Sequence, residues 1–84
     1  MLEELFASKT RARLLRVFFG SPGKSFYQSE LKANEAISVV QYELLKLTKL
    51  KVINTFMVRN RRYYQVNSKH KLYKELRALA NKAS

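Results

Sequence analysis

Two clusters of side chains in this 84-residue sequence have types and spacing suited to chemistry. The first is Arg59-Asn60-Arg61-Arg62, three guanidinium groups within four residues. A guanidinium is permanently charged, and its planar fork of donors matches the oxygens of a phosphate bidentately. In the second, Ser38, Tyr42, Lys46 and Lys49 recur at steps of three and four residues, with Gln41 at the edge of the same face. Such steps place side chains on one side of an α-helix. Gln is a reader of base edges, adenine above all, whereas Ser and Lys bond to base or phosphate. Leu45 shares that face and suits either a thymine methyl or a protein surface; its type and position leave both open. The chemistry on offer is recognition of a polyanion.

Bond-making chemistry has little to work with. The chain has no Cys, and all six of its acids are Glu, so thiol nucleophiles and thiolate metal sites are excluded. The single histidine, His70, has no carboxylate close by in sequence and reads as a surface or helix-start residue. Glu3 and Glu4 suit the positive end of a first helix, and the remaining glutamates read as solvated helix positions that form no catalytic pair. No glycine-rich phosphate loop is present. We expect no enzyme activity, no metal, no cofactor and no small-molecule ligand. Tyr63 and Tyr64 could stack on bases, but neighbouring strand residues point to opposite faces. At least one of the pair therefore belongs to the core, as Phe18, Phe19, Phe26 and Phe56 are expected to.

These residues must be positioned by elements, and the hydropathy pattern supplies them. Leu2, Leu5 and Phe6 fall on one side of a helical turn. Ser8 is a candidate N-cap for a helix over Lys9–Phe19, with Leu14, Leu15, Phe18 and Phe19 on its apolar face. Gly20-Ser21-Pro22-Gly23 ends it. A short extended stretch at Ser25–Tyr27 leads into a short helix over about Gln28–Ala33, with Leu31 inward. Ile37, Val40, Leu44 and Leu47 form the core face of the next helix, which ends near Lys49 or Leu50. The period then changes. Val52–Val58 and Arg62–Asn67 are rich in β-branched and aromatic residues and read as a hairpin, with Asn60 suited to a positive-φ turn position. Leu72, Tyr73, Leu76, Leu79 and Ala80 define a terminal amphipathic helix, capped by Ser68. The expected class is mainly α with a β-hairpin, in the order α-α-α-β-β-α.

Length and composition agree with that reading. Eighty-four residues support a single core, so residues 1–84 are expected to form one domain. With 46% hydrophobic residues, ten Phe and Tyr, and only two glycines and one proline, the chain is expected to fold on its own. Seventeen Lys and Arg against six acids give +11. Residues 43–84 hold eleven basic groups and two acids, against six and four in residues 1–42. That exceeds what solubility asks of a small domain, a net charge of about 2–8, and points to an anionic partner. No run approaches the roughly 20 apolar residues of a membrane span. Acids stand at the N-terminus where a signal peptide carries positive charge, so a cytoplasmic protein is expected.

Several stretches resemble a known group. Leu5-Phe6-Ala7-Ser8-Lys9-Thr10-Arg11-Ala12-Arg13-Leu14-Leu15 is similar to the opening of small prokaryotic winged helix-turn-helix regulators of the broad ArsR/MarR-like group. Phe26-Tyr27-Gln28-Ser29-Glu30-Leu31 is similar to the segment that follows it there. Val40-Gln41-Tyr42-Glu43-Leu44 resembles their recognition helix, Arg59-Asn60-Arg61-Arg62-Tyr63-Tyr64 their wing, and Leu72-Tyr73-Lys74-Glu75-Leu76-Arg77 their closing helix. The chain departs from the pattern in a segment between Leu31 and Val40 that is about two residues short. Ala36 stands near the turn glycine of the group, and Lys51 stands where a glycine commonly ends the recognition helix.

The resemblance implies a three-helix core with a wing and a C-terminal helix, acting as a DNA-binding transcriptional regulator. Ser38, Gln41 and Tyr42 are the expected base contacts; Lys46, Lys49, Arg59, Arg61 and Arg62 are expected to hold the backbone of double-stranded DNA. A homodimer is expected because one module reads one half-site. Leu2, Leu5, Phe6, Leu76, Leu79 and Ala80 are its candidate interface. The rival readings are a winged helix that docks a partner enzyme such as a nucleotidyltransferase through Tyr42, Leu45 or the terminal helix, and a binder of nucleic acid by charge alone.

Overall fold

The computed structural model describes residues 8–82. Helix α1 (Lys9–Gly20) is followed by β1 (Phe26–Tyr27), α2 (Gln28–Leu31), α3 (Ile37–Lys49), β2 (Ile53–Val58), β3 (Arg61–Val66) and α4 (Tyr73–Lys82). The three strands form one antiparallel sheet in the order β1-β3-β2. Phe26 and Tyr27 pair with Tyr64 and Tyr63, and β2 pairs with β3 from Ile53–Val66 to Val58–Arg61. The expected mainly-α fold with a hairpin is the one formed; the extended stretch before α2 becomes the third strand.

Each helix is set by local chemistry. The Ser8 hydroxyl accepts the Arg11 N–H at the start of α1 (3.2 Å), satisfying one of the helix's orphan donors. Leu14, Leu15, Phe18 and Phe19 then bury together with Leu31, with Val40, Leu44 and Leu47 of α3, and with Val52, Ile53, Tyr64 and Val66 of the sheet. Phe18 meets Phe26 edge-on, ring centroids 5.7 Å apart. Leu76 and Ala80 of α4 close the same core, and Tyr73 lies against Phe19. Among the described residues, no buried side-chain nitrogen or oxygen lacks a hydrogen-bond partner.

The end of α3 is a Schellman motif, in which a left-handed residue lets two backbone N–H groups return to the last turn. Lys51 takes φ 61°, its N–H bonds the Thr48 carbonyl, and the Val52 N–H bonds the Leu47 carbonyl, each at 3.0 Å. Val52 and Leu47 are both buried, so the motif also starts the core side of β2.

Several expectations need correction. Ile37 is 37% exposed: it lies in the first turn of α3, beyond the end of the core, and Glu43 joins Val40, Leu44 and Leu47 in the buried row. Phe56 is 38% exposed, because strand alternation places it opposite to Ile53. The hairpin tip is Arg59-Asn60 alone, and Arg59, not Asn60, carries the positive φ of 56°. In the turn between α2 and α3, Ala33 takes the left-handed conformation, at φ 50°. Ser68 is not the cap before α4; Asn67 Oδ1 accepts the Lys69 N–H and His70 Nδ1 accepts the Leu72 N–H.

A side chain at left-handed φ is strained relative to glycine. Lys51→Gly is expected to stabilise the fold by about 0.5–1 kcal/mol, read as a rise of a few degrees in Tm. An unchanged or lower Tm would show that the strain relieved at Lys51 is no larger than the entropy that glycine adds to the unfolded chain.

Candidate nucleic-acid interface

The outward face of α3 is defined by what its inward face is tied to. Val40, Leu44 and Leu47 enter the core, and between them Glu43 is buried. Arg11 of α1 meets it in a forked ion pair: Nε donates to Glu43 Oε2 at 3.1 Å and Nη2 to Oε1 at 3.0 Å. The turn before α3 is fixed similarly. Arg13 Nη2 donates to the Leu31 carbonyl and to Glu35 Oε1, both at 2.6 Å, and the Thr10 hydroxyl donates to Glu35 Oε2 at 3.1 Å. The Arg13 hydrogen bond holds the Glu35 carboxyl below its ordinary pKa; partial burial opposes the shift, and the Thr10 bond adds to it. Two arginines of α1 thus hold α3 and the turn before it.

Ser38, Gln41, Tyr42, Lys46 and Lys49 are all exposed on α3, as is Leu45. On a helix of 3.6 residues per turn, Ser38, Tyr42, Leu45 and Lys49 form the central stripe, with Gln41 on one flank and Lys46 on the other. Lys46 Nζ lies 5.4 Å from the centre of the Tyr42 ring, a cation–π distance. The only carboxylate of α3 is Glu43, which is turned inward.

The wing does not gather its arginines into one cluster. Arg61 and Arg62 are neighbours on β3 and point to opposite faces. Arg61 lies over the Tyr27 ring, its guanidinium carbon 4.2 Å from the centroid. Tyr27 abuts Tyr63 edge-on, and Tyr63 stacks on Phe56, both at 6.0 Å. This aromatic ladder crosses all three strands on the face away from the core, which explains why Tyr63 and Phe56 stay outside while Tyr64 is buried. On the other face, Arg62 Nη1 donates to the Thr55 hydroxyl at 3.0 Å. Arg59 stays exposed in the turn.

The tip of the wing also comes close to the start of α2. Gln28 and Ser29 line an open depression with Asn60, Arg61 and Arg62. Neither Gln28 nor Ser29 stood out in the sequence; only the pairing of β1 with β3 brings the first turn of α2 beside the hairpin.

The expected contact between two copies fares differently. Leu2, Leu5 and Phe6 lie outside the described residues. Leu76 and Ala80 are not spare apolar surface, because they are buried in the chain's own core; Leu79 is half-buried. Among the described residues, no three His, Cys, Asp or Glu side chains gather into a metal-binding group, and no helix is long and apolar enough to cross a membrane.

Compared with known structures, the chain is similar to the AntR antimony-specific transcriptional repressor, with a TM-score of 0.74 over 98% of this chain and 72% of that one, at 19% sequence identity. The fold is a winged helix-turn-helix. No protein-family model and no curated protein matches the sequence. In the terms of that fold, α2 and α3 are the helix-turn-helix and β2–β3 is the wing.

Arg11→Ala would leave the Glu43 carboxylate buried without its partner, and such a change costs about 3–5 kcal/mol. Urea unfolding should show a loss of at least about 3 kcal/mol, partly recovered when Glu43→Leu is added. A loss below about 1 kcal/mol would show that α3 does not depend on the pair. Glu35, with its lowered folded pKa, contributes stability that is present above the ordinary carboxylate pKa and lost as pH falls through the lowered value. Stability measured from about pH 6 down to about pH 2 should therefore fall less steeply in Glu35→Gln than in the parent; identical slopes would remove Glu35 from the acid transition.

Proposed function

We propose that this protein is a transcriptional regulator that binds specific sequences of double-stranded DNA, with α3 in the major groove and the wing on the backbone or the adjacent minor groove. The observation that carries the reading is the outward face of α3. It presents Ser38, Gln41, Tyr42, Lys46 and Lys49 together, on a winged helix, with the helix's only carboxylate turned inward. A major groove about 12 Å wide admits one helix. Ser38, Gln41 and Tyr42 lie in the first half of α3, the part of a recognition helix that meets base edges. Lys46 and Lys49 in its last turn, and Arg59, Arg61 and Arg62 on the wing, are placed for phosphates. The first turn of α3 contains no acid, and its N-cap, Ala36, offers no side-chain acceptor.

The net charge of +11 supports the same partner, and the likeness to a repressor supports regulation as the outcome of binding. The antimony specificity named for that repressor does not transfer with the fold. A soft metalloid favours thiolate ligands, and these residues include no cysteine. We propose a homodimer acting in the cytoplasm on two half-sites, with Leu79 and the segment around Leu2, Leu5 and Phe6 as the remaining candidates for the contact.

A second reading, a winged helix that docks a protein partner, draws on the exposure of Tyr42 and Leu45. Duplex binding separates the two. The chain should select a preferred sequence from a randomised duplex pool at physiological salt, and hold it against unrelated competitor DNA. Replacing Arg59, Arg61 and Arg62 with Ala should lower the slope of log affinity against log salt by roughly 2–3, since each phosphate that a cation neutralises contributes about 0.9. An unchanged slope would sink the wing assignment. Affinity that falls equally for all sequences would mark a charge-only binder, and no duplex binding at low salt would leave the protein-docking reading.

A further inference from the structure

Charge and hydrogen-bonding capacity are unevenly divided along α3. The cations sit in the last turn, at Lys46 and Lys49. The residues before them, about two and a half turns, expose Ser38 and Gln41 as polar groups, and beside them Val39, Tyr42 and Leu45 at 45%, 58% and 54% of their surface. No arginine lies anywhere on the helix. The commonest specific reading of guanine uses Arg or Lys on O6 and N7, and the outward face from Ser38 to Leu45 holds neither. Its single amide, Gln41, fits adenine N6 and N7. Its apolar side chains fit the one apolar group on the major-groove edge, the thymine C5-methyl.

The spacing allows both contacts at once. Gln41 and Leu45 are one turn apart, about 6 Å along the helix at about 1.5 Å per residue. That distance covers about two base-pair steps of about 3.4 Å. Tyr42 lies beside Leu45 on the central stripe, its ring approached by Lys46 from the adjoining turn. A cation next to these apolar groups, on a chain of net charge +11, suits a polyanion that carries methyl groups and disfavours a basic or neutral protein surface.

We propose that α3 reads an A·T-containing half-site, with Leu45 against a thymine C5-methyl, Tyr42 packing beside it, and Gln41 on an adenine one to two base pairs away. This rests on the DNA-binding reading above and names its target class. It also gives Leu45 a role that an exposed leucine on a solvated helix would lack.

The test uses the duplex selected from the random pool and the same duplex with deoxyuridine in place of thymine within the half-site. The exchange removes only methyl groups and leaves every base-pair hydrogen bond in place. The parent protein should bind the uridine duplex about 4-fold more weakly for each methyl group it covers, the factor that corresponds to about 0.8 kcal/mol for burying one such group. Leu45→Ala should weaken binding to the thymine duplex by a similar factor and become indifferent to the exchange. That indifference separates a direct contact from a change in duplex stiffness, which would persist in the variant. Leu45 is exposed, so an unchanged circular dichroism spectrum and Tm are expected. Gln41→Ala should relax the preference for A·T at one position. Equal binding of the two duplexes by the parent, or a selected site that is entirely G·C, would overturn the proposal while leaving the DNA-binding reading intact. Failure to select any duplex would overturn the DNA-binding reading and this proposal with it.

Discussion

The forked ion pair between Arg11 and Glu43 sets the orientation of the surface on which everything else depends. A carboxylate buried in a small core is costly unless it is paired and hydrogen-bonded. Both Glu43 oxygens accept from one guanidinium, so the pair has one arrangement of low energy. Apolar packing alone tolerates some rotation of a helix about its axis, since Val40, Leu44 and Leu47 can slide against a greasy neighbour. A bidentate pair does not tolerate it. Arg13 applies the same constraint one element earlier by holding the Leu31 carbonyl and the Glu35 carboxylate. The pose of α3 is therefore specified by α1, across 32 residues of sequence.

The wing meets a different constraint. A two-stranded ribbon projecting from a domain of this size has little core to lean on and is marginal by itself. Two devices stiffen it. The two residues of β1 turn the middle of the ribbon into a three-stranded sheet, and the ladder of Phe56, Tyr63 and Tyr27 crosses that sheet on the outer face. Arg61 ends the ladder by lying on Tyr27. Its guanidinium is restrained by the contact, while the edge of the fork stays available. The apolar exposure at Phe56 is thus part of the wing's own bracing.

The periodic parts of this architecture were legible in the sequence. Leu14, Leu15, Phe18 and Phe19, and later Val40, Leu44 and Leu47, mark the buried faces of α1 and α3 by spacing alone, and Ser8 marks the start of α1 by its type. The change to β-branched and aromatic residues at Val52 marks the sheet. The outward face of α3 follows by subtraction, so the periodicity is enough to place Ser38, Gln41, Tyr42, Lys46 and Lys49. Glu43 is different. A glutamate between apolar positions has the same spacing whether it is solvated or paired, and only a partner 32 residues away decides it. Turn positions were obscured for a related reason. Left-handed φ is usually advertised by Gly or Asn, whereas here Ala33, Lys51 and Arg59 adopt it because the elements on either side leave no other path. The divergence of Arg61 and Arg62 was hidden by the shift of a strand boundary by one residue, since parity along β3 assigns every side chain to a face.

Ion pairing also redistributes the charge that first marked the chain. Arg11 and Arg13 are directed to Glu43 and Glu35 inside the fold, so the basic character of α1 is in part structural. The exposed excess lies at the end of α3, on the wing and along α4. The outward face of α3 from Ser38 to Leu45, by contrast, is uncharged. On the proposed DNA-binding reading, affinity and selectivity are therefore assigned to different places. Lysines and arginines at the periphery attract a phosphate backbone of any sequence and lose strength together as salt rises. The uncharged stripe of Ser38, Gln41, Tyr42 and Leu45 contributes little until its hydrogen bonds and apolar contacts match the groove. On the proposed DNA-binding reading, that stripe is held by the buried pair behind it, so a mismatch would not be relieved by rotating α3 and the cost of a wrong base would fall on the contact itself.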